Sequence, residues 1–522
     1  MKNSRLQFVA AIAYFFLFLV NLSLVVLAFW LGQLWLLWVV AALLAIAFVA
    51  HDLTQKKHTL LRNFPVVGRM RYLLETLRPP VVQYFMESDL NGKPFNRRQR
   101  SIVYQRAKNV RQTVAFGMQA DPYTPGYEWL SHSMYPVKIK DTDLRVTVGT
   151  SKCTQPYDLS VLNVGAMSYG ALSKTAVASL SEGAKLGGFA QNTGEGGISS
   201  HHLNGGGDLI WQIGTGYFGC RNEDGTFNAE LFQANAMRPN VKMIELKLSQ
   251  GAKPGHGGIL PAVKNTPEIA AIRNVKPGVT VYSPGHHSAF SDANSLLIFI
   301  DELRTLSGGK PVGFKLCVGN PREFEEICQA MDTLKIYPDF IAVDGGEGGT
   351  GAAPLEFTDY LGMPLLDALA FVSATVKKYN VPSKIIASGK IITAFDILKA
   401  LALGADACYS ARGMMMALGC IQALTCDSGH CPVGITTQNK RLYRGIDVTD
   451  KRVRVASFHK NTLHAVVELM EACGYKSLSD VKPEDFHRRI NISESQTLEQ
   501  VYFNNKQNTP QNVNAELLTH LN

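Results

Sequence analysis

An uncharged apolar stretch at the N-terminus is the strongest constraint on what this chain can fold into. From Leu6 to Ala50 the sequence contains no Asp, Glu, Lys or Arg. The stretch divides at Leu31-Gly32-Gln33 into two segments, and a helix needs about 20 residues to cross the hydrocarbon core of a bilayer. The pattern predicts a two-helix transmembrane hairpin at residues 1–50. The tryptophans expected at a membrane interface near the joint are Trp30, Trp35 and Trp38.

A cleaved signal peptide is the alternative interpretation of this stretch. The basic residues Lys2 and Arg5 precede it, but a second apolar run follows, and no small-residue cleavage pattern appears after a short apolar core. Further basic residues follow between Lys56 and Arg71, and flanking positive charge marks the cytoplasmic side. The sequence therefore favours a two-pass membrane protein with both ends, and the rest of the chain, in the cytoplasm.

Charge and cysteine usage limit the partners and the compartment. The chain has 52 basic and 43 acidic residues, a net charge of +9, which a membrane surface, anionic substrates or nucleic acid would each explain. It has neither an aromatic-interleaved RNA-binding signature nor a DNA-reading helix, so we expect no nucleic-acid partner. Nine cysteines, scattered apart from one cluster, are typical of a reducing compartment rather than of a disulfide framework.

Residues 51–150 are predicted to form a basic connector next to the membrane. The stretch "KKHTLLRNFPVVGRMRYLLETLRPP" predicts a short helix that ends at Pro79-Pro80. Its cationic side chains either lie on anionic lipid headgroups or belong to a solvated linker, and the sequence leaves both interpretations open.

The sequence pattern between Leu159 and Met416 differs from that of the preceding residues. Short apolar runs such as "PVGFKLCVG", "DFIAVDGGEGG" and "VTVYSPG" end in glycine-rich turns and alternate with helix-length segments. Repeated strand–loop–helix units predict parallel strands in an α/β fold. Polar residues follow nearly every strand, which favours a (β/α)8 barrel at residues 151–440 over a doubly wound sheet. Residues 441–522 are predicted to form a helical extension and a polar tail.

Two glycine-rich loops late in this region are candidates for binding phosphate. "DGGEGGTGAAP" places Gly348 and Gly349 beside Thr350, and "SGK" places Gly389 and Lys390 just ahead of a predicted helix. Glycine lets backbone N–H groups approach an anion, and a helix N-terminus attracts one. The alternative for each loop is a tight turn with no ligand.

Charged side chains at strand ends are candidates for binding substrate. "IELKLSQGAKPG" carries Lys247, Gln250 and Lys253, whose charges suit a small dicarboxylate or oxo-acid. Lys315 interrupts an apolar strand, where a charge is costly without a partner. Glu195 follows the donors Asn192 and Thr193 in "AQNTGEGG", which we interpret as a flexible turn. The adjacent side chains of His286 and His287 are expected to point apart.

Three cysteines form the cluster "CIQALTCDSGHC". Cys420, Cys426 and Cys431 have the spacing C-x5-C-x4-C. Buried thiols, a redox pair with a spare, and an incomplete metal site are all open interpretations. No C-x2-C pair is present for an ordinary four-thiolate zinc site, whereas three thiolates suit an iron–sulfur cluster that lacks one iron.

Together these motifs resemble the synthase domain of glutamate synthase. "VGAMSYGALS", "QNTGEGG", "KLSQGAKPGHGGILP", "SPGHH", "GGEGGTGAAP" and "MMMALGCIQALTCDSGHCPVGITTQ" follow the family's order and spacing over residues 161–438. The resemblance implies a barrel that holds FMN, and a [3Fe–4S] cluster on Cys420, Cys426 and Cys431.

The resemblance also implies roles for individual residues. Ala166, Met167 and Ser168 would approach the flavin ring, and Lys315 would stabilise its reduced form. The other residues implied to bind FMN, most of them around its phosphate, are Asn192, Gly348, Gly349, Thr350, Gly389, Lys390, Arg412 and Gly413. The residues implied to act on 2-oxoglutarate are Lys247, Gln250 and Lys253, with Glu195 as a proton-handling group.

The reaction implied is the reductive amination of 2-oxoglutarate with ammonia to glutamate, by an oxidoreductase acting on CH–NH2 donors. His256 stands where the family has Glu, Ser288 stands where it has Asp, and we expect neither a glutaminase nor a C-terminal β-helical domain. No nicotinamide fingerprint is visible, so ferredoxin, a flavoprotein subunit or a membrane carrier is expected to supply electrons. The alternatives are a related amine or 2-oxo acid oxidoreductase, such as an N-alkylglutamate synthase, and a membrane-tethered electron-transfer module.

Overall fold

The computed structural model describes residues 22–32, 35–110, 113–140 and 144–504. The chain divides into two compact units, Met1–Ser88 and Asp89–Asn522, so the division falls inside the predicted connector rather than at residue 50 or 150. Residues 1–21 and 33–34 of the predicted hairpin and residues 505–522 of the predicted polar tail lie outside the described residues.

The described secondary-structure elements of the first unit are all helices joined by short turns. Residues 22–30 are helical, and Trp35–Thr54 is the one helix in the described residues that is long and apolar enough to cross a membrane. The next elements are Thr59–Asn63, Gly68–Val81 and the π-helical Val82–Met86. The predicted end at Pro79-Pro80 was wrong, because the helix runs through both prolines. Each proline lacks the N–H that would bond to the carbonyl four residues earlier, yet the helix continues through both to Val81.

An ion pair fixes the corner between two of these helices. Asp52 is fully buried near the end of Trp35–Thr54. Its carboxylate accepts hydrogen bonds from the backbone N–H of Val66 at 2.9 Å and from Arg69 Nε at 3.0 Å. Because Arg69 lies in the first turn of Gly68–Val81, the pair ties the start of this helix to the end of the apolar one.

The second unit contains the predicted barrel, which is closed by eight parallel strands. Each strand pairs with its neighbours in chain order, and the last strand pairs with the first. The barrel prediction is therefore confirmed. The strands are β1 (Leu162–Val164), β2 (Ala190–Asn192), β3 (Asp208–Ile213), β4 (Val241–Lys247), β5 (Val312–Leu316), β6 (Phe340–Asp344), β7 (Lys384–Ser388) and β8 (Ala407–Ser410).

Side-chain alternation gives the barrel interior an apolar half and a polar half. Successive side chains of a strand point to opposite faces, so alternate residues fill the interior. A buried apolar cluster joins residues from the first halves of the strands, among them Ala190, Ile210, Met243, Ile386 and Ala407. Two residues further along several of these strands, the side chains that fill the interior are polar instead of apolar. The carboxyl end of the barrel therefore carries the chemistry.

Helices surround the barrel. Those that follow strands or end the chain are Lys174–Gly187, Ser200–Gly205, Ala229–Ala236, Pro267–Arg273, Ala293–Leu306, Pro321–Leu334, Leu355–Tyr360, Leu365–Lys378, Ala394–Ala402, Arg412–Leu418, Lys440–Tyr443 and Leu498–Tyr502, with 3-10 turns at Ala262–Lys264, Leu478–Asp480 and Pro483–Asp485. The predicted C-terminal helix is confirmed as Val448–Cys473, and it packs on Lys174–Gly187 and on Arg97–Ala107. Gly183 permits this approach, since a Cβ there would lie 2.7 Å from Val455 Cβ.

Short antiparallel sheets lie outside the barrel. The run "VTVY" was predicted as one of the repeated strands, but Val281–Tyr282 pairs antiparallel with Ile259–Leu260. Both of its residues keep contact with solvent, whereas a barrel strand is covered on both faces. In the remaining sheets Phe486–Arg489 pairs with both Glu128–Leu130 and Ser495–Thr497, and Arg145–Val148 pairs with Tyr157–Ser160.

Candidate active site

A partly buried ion pair forms the centre of the site. Lys247, the last residue of β4, donates from Nζ to Glu195 Oε2 at 2.8 Å. Burial alone would raise the pKa of Glu195, but the cations Lys247, Lys253 and Arg273 outweigh it and lower the pKa. Glu195 is therefore a carboxylate at neutral pH. Lys253 is 4% exposed, so positive charge exceeds negative charge here.

The ion pair lines a small cavity that is open to solvent. Glu195, Lys247 and Gln250 lie in its wall, together with His256 and Thr215. Of the three side chains that the sequence analysis assigned to an oxo-acid, the structure thus places Lys247 and Gln250 in the wall, whereas Lys253 is not among the lining residues. Ammonium and amide groups are suitable donors to carboxylate oxygens.

Two glycines leave room for the Glu195 carboxylate. A Cβ at Gly214 would lie 2.5 Å from Glu195 Oε2, and a Cβ at Gly258 would lie 2.6 Å from Oε1. Any other residue would displace the carboxylate, because real Cβ atoms do not approach so closely. Gly214 follows β3 and Gly258 follows β4, so loops from two neighbouring strands fix the carboxylate.

The two adjacent histidines have different environments. His286 is exposed, whereas His287 is buried, which confirms that their side chains point apart. His287 Nε2 donates to the Lys247 carbonyl at 2.8 Å, and burial lowers the pKa of His287 to about 4. Its Nδ1 is buried and has no hydrogen-bond partner among the described residues. The neutral ring therefore offers a free acceptor atom behind Lys247.

Lys315 has the partner that its place in an apolar strand requires. Its Nζ lies 3.4 Å from Asp344 Oδ2, and Asp344 also accepts from the N–H of Gly251 at 2.8 Å. Burial would lower the pKa of Lys315, but Asp344 and Glu245 outweigh it and raise the pKa. Lys315 is thus a fixed cation inside the barrel. Sequence reasoning missed Asp344, although it ends an apolar strand just before a glycine-rich loop.

A hydrogen-bond network around Glu245 organises the polar half of the interior. Its fully buried carboxylate accepts from Asn192 Nδ2 at 2.8 Å, from Gln212 Nε2 at 2.6 Å and from the Tyr409 hydroxyl at 2.9 Å. Asn192 Oδ1 accepts from the N–H of Gly194 at 3.0 Å. The predicted flexible turn at Asn192 was wrong, because Ala190–Asn192 is strand β2. The Asn192 amide is held within the protein.

Cations gather beside the glycine-rich loops at the other end of the site. Burial lowers the pKa of Lys390, and the neighbouring cations Arg412 and Lys93 lower it further. Arg412 donates to the Glu347 carbonyl at 2.7 Å, and a Cβ at Gly349 would lie 2.7 Å from Arg412 Nε. These mutually repelling cations with glycine beside them fit an anion such as a phosphate. Sequence reasoning missed Lys93, which lies far from the other cations in the chain.

The remaining residues assigned to the cofactor lie at the same carboxyl end of the barrel. Met167 is buried after β1, between the partly exposed Ala166 and Ser168. A Cβ at Gly194 would lie 2.5 Å from the Ser168 N atom. The other positions follow β6, β7 and β8, namely Gly348, Thr350, Gly389 and Gly413.

The three clustered cysteines lie in the loop that follows Arg412–Leu418. Cys426 and Cys431 act electrostatically on Cys420, although no three His, Cys, Asp or Glu side chains in the described ranges are arranged around one metal ion. In a cluster whose three irons each bind one thiolate, the three sulfur atoms lie farther apart than they would around a single metal ion. Lys264, 4% exposed, donates to the Cys426 carbonyl at 2.5 Å. A buried cation beside three thiols fits an anionic group there.

Part of the predicted connector belongs to this region. The Tyr104 hydroxyl donates to the Cys420 carbonyl at 2.6 Å, and Gln422 Nε2 donates to the Phe95 carbonyl at 3.1 Å. The Arg412 guanidinium lies 4.9 Å from the centre of the Phe95 ring. Residues 93–107 therefore contact both the phosphate-binding candidates and the cysteine loop.

This chain is similar to several known proteins. The glutamate synthase large subunit-like protein YerD of Bacillus subtilis is 37% identical over 469 residues, which cover 82% of this chain and 89% of that protein. The archaeal glutamate synthase [NADPH] of Methanocaldococcus jannaschii is 33% identical, covering 71% of this chain and 69% of that protein. The ferredoxin-dependent glutamate synthase of Antithamnion sp. is 32% identical, covering 61% of this chain and 21% of that protein.

A match to a protein family agrees with the similarity to these relatives. The conserved region in glutamate synthase matches residues 111–476, a range that includes every barrel strand and the three clustered cysteines. The chain therefore belongs to the glutamate synthase family.

Proposed function

We propose that this protein is an oxidoreductase of glutamate synthase type that uses FMN and an iron–sulfur cluster. In the proposed reaction it aminates 2-oxoglutarate with ammonia and reduces the product to glutamate. The observation that carries the proposal is the cavity at Glu195 and Lys247, with an excess of buried cations. It shares the carboxyl end of one barrel with the cations Lys390 and Arg412, which suit a cofactor phosphate.

The residues present fit FMN. Lys390, Arg412 and Lys93 would hold its phosphate beside Gly349, and Lys315 would hold a negative charge on its ring. When bound, the flavin supplies the transfer of a hydride equivalent. The Asp344 carboxylate fixes Lys315, and the Glu245 network fixes the strand ends around the ring site.

The chain's own residues would bind the substrate and move its protons. Lys247 and Lys253 would pair with the two carboxylates of 2-oxoglutarate, and Gln250 would donate a further hydrogen bond. Condensation with ammonia forms the C=N bond of an imine and releases water. Glu195, ionised because of its cationic neighbours, would accept a hydrogen bond from ammonia and relay protons from the attacking nitrogen to the oxygen that departs as water.

The cysteine loop fits an iron–sulfur cluster. Cys420, Cys426 and Cys431 would each bind one iron, and such a cluster supplies single-electron transfer. The buried Lys264 would balance its negative charge. Relatives are named for NADPH and for ferredoxin as donors, and the donor of this chain is proposed to be ferredoxin or a separate flavoprotein subunit.

The N-terminal hairpin would anchor the enzyme in the membrane, with the barrel in the cytoplasm. Trp35–Thr54 supports one of its helices by length and apolarity. The basic residues around the hairpin support the orientation. To test this orientation, a topology reporter is fused to the C-terminus of the full chain in cells. Its accessibility to a membrane-impermeant reagent shows on which side of the membrane the C-terminus lies.

A different amine or 2-oxo acid is the second candidate, favoured by His256 in the cavity wall. An imidazole there changes the charge and shape that a substrate meets. An electron-transfer module without amination chemistry is the remaining alternative, motivated by the membrane-length helix.

The experiment uses the full chain purified anaerobically in detergent. The reduced protein is mixed with ammonium and 2-oxoglutarate, then with methylamine in place of ammonium. Glutamate supports the first candidate, and N-methylglutamate the second. A flavin that stays reduced with every oxo-acid, yet is reoxidised by a quinone, contradicts both. Low-temperature EPR of the oxidised protein tests the cluster, and a Cys420→Ser variant that keeps FMN is the control.

A further inference from the structure

An apolar stripe runs along one face of the last helices of the first unit and is exposed to solvent. Side chains three and four positions apart share one face of a helix. Leu74 is 59% exposed, Met70 is 54% exposed and Phe85 is 85% exposed. A globular protein normally buries such a stripe. The exposed apolar positions on Gly68–Val81 and Val82–Met86 are Met70, Leu73, Leu74, Leu77, Val81, Tyr84, Phe85 and Met86.

The charges within residues 56–86 are almost all positive, and the acidic Glu87 and Asp89 follow this segment. Between residues 56 and 86 the only acidic side chain is Glu75, which pairs with Arg71 at 3.3 Å. The basic residues of the same segment are Lys56, Lys57, Arg62, Arg69, Arg71 and Arg78. An apolar face flanked by Lys and Arg is typical of helices that lie in a bilayer interface.

The segment Gly68–Met86 follows the membrane-length helix closely in the chain. Trp35–Thr54 leads through one short helix into Gly68–Val81. The ion pair of Asp52 with Arg69 holds the corner, and the Arg69 guanidinium lies 4.9 Å from the centre of the Phe48 ring. The stripe is therefore held near the end of the helix proposed to span the bilayer.

We propose that Gly68–Met86 lies in the interface of the leaflet at the end of Trp35–Thr54 and binds anionic phospholipid headgroups. The apolar stripe enters the acyl boundary, and Arg71 and Arg78 contact lipid phosphates. This inference goes beyond the catalytic proposal and depends only on the proposed anchor. Positive charge selects anionic lipid, since each Lys or Arg near such a surface strengthens binding about fivefold.

The test places the photoreactive residue p-benzoylphenylalanine at single positions of the full chain. The protein is reconstituted in nanodiscs of phosphatidylcholine alone, or of phosphatidylcholine with 30% phosphatidylglycerol. Phe85 is the test position, and Tyr135, also 85% exposed but in the second unit, is the matched control. Ile46 in the apolar helix reports on the anchor itself.

Mass spectrometry identifies what is crosslinked. Lipid adducts at position 85, enriched for phosphatidylglycerol and absent at position 135, are expected. Crosslinks from position 85 to residues 89–522, or to a second copy, would overturn the inference. Lipid adducts at position 46 without any at position 85 would also overturn it while the anchor stands.

A charge-reversed variant tests the headgroup preference. Arg71→Glu with Arg78→Glu should reduce the enrichment of phosphatidylglycerol at position 85 by about fivefold or more. Arg322→Glu, an exposed position in the second unit, is the control and should leave the enrichment unchanged. An unchanged enrichment in the double variant would contradict the assignment of these arginines to lipid phosphates.

Discussion

Lys247 Nζ lies 2.8 Å from Glu195 Oε2, and the cations Lys253 and Arg273 act on the same carboxylate. One carboxylate cannot balance these charges, and an uncompensated buried cation is costly. The cavity beside the pair is therefore suited to an anionic substrate. This imbalance is the physical basis of the proposed 2-oxoglutarate site.

Replacing Lys247 by Met should abolish most substrate binding. Removing one partner of a buried, hydrogen-bonded charge pair costs about 2–5 kcal/mol, so kcat/KM for the oxo-acid should fall about 30-fold or more. The rate at which the oxo-acid reoxidises the reduced protein, followed at several oxo-acid concentrations, measures this loss. Lys242→Met is the control, because Lys242 lies on the same strand but pairs with Asp208 at 3.8 Å. Equal loss in both variants would contradict the assignment.

The pH dependence of stability should reflect Glu195. Its pKa is lowered from the ordinary value of 4.5, so the ion pair stabilises the fold fully above about pH 4.5 and is lost as the pH falls through the lower folded value. Glu195→Gln should therefore unfold at a lower temperature than wild type at pH 7. The difference in Tm should shrink below pH 4.5. A difference that is constant from pH 3 to pH 7 would refute the ionised pair.

Local pattern was enough to predict the barrel but not every strand. β5, β6 and β7 are apolar runs that end in glycine, so their periodicity indicates buried parallel strands. β2 was missed because its three residues include Gln191 and Asn192, which look like turn residues. Asn192 can lie in a strand because Glu245, far away in the sequence, accepts its amide hydrogen bond.

The candidate site was predictable where strand ends alone determine it. Glu195 follows β2, whereas Lys247 and Gln250 lie at the end of β4, two strands further round the sheet, so a closed barrel brings them together at one end. Lys264 and Lys93 were not predictable, because their partners lie in segments distant along the chain. Lys264, for example, contacts a carbonyl 162 residues away, and no spacing rule covers such a contact.

Gly258→Ala should damage the site without removing the cofactor. The new Cβ would lie 2.6 Å from Glu195 Oε1, so the carboxylate must move away from Lys247. We expect kcat/KM to fall at least about tenfold, with the flavin content unchanged by absorbance. Gly319→Ala is the control, because a Cβ there meets nothing within 4 Å. Full activity of Gly258→Ala would contradict the assigned position of the carboxylate.

Lys93→Met should weaken retention of FMN. Lys93 acts on Lys390, and removing a third cation from a phosphate site weakens charge-assisted binding. We expect about a tenfold higher dissociation constant, measured by flavin fluorescence during dilution of the full chain. Lys108→Met, an exposed lysine just after the Arg97–Ala107 helix, should retain FMN as wild type does. Identical retention in both variants would remove Lys93 from the phosphate site.

Lys264→Met should make the proposed cluster harder to reduce. Lys264 Nζ is buried against the Cys426 carbonyl, and a nearby positive charge favours the more negative, reduced state of a cluster. The midpoint potential should therefore move to a more negative value, as followed by EPR-monitored redox titration. Lys264→Arg keeps the charge, so its midpoint potential should stay close to that of the wild type. A cluster whose potential is the same in wild type and Lys264→Met would show that the lysine acts only through packing.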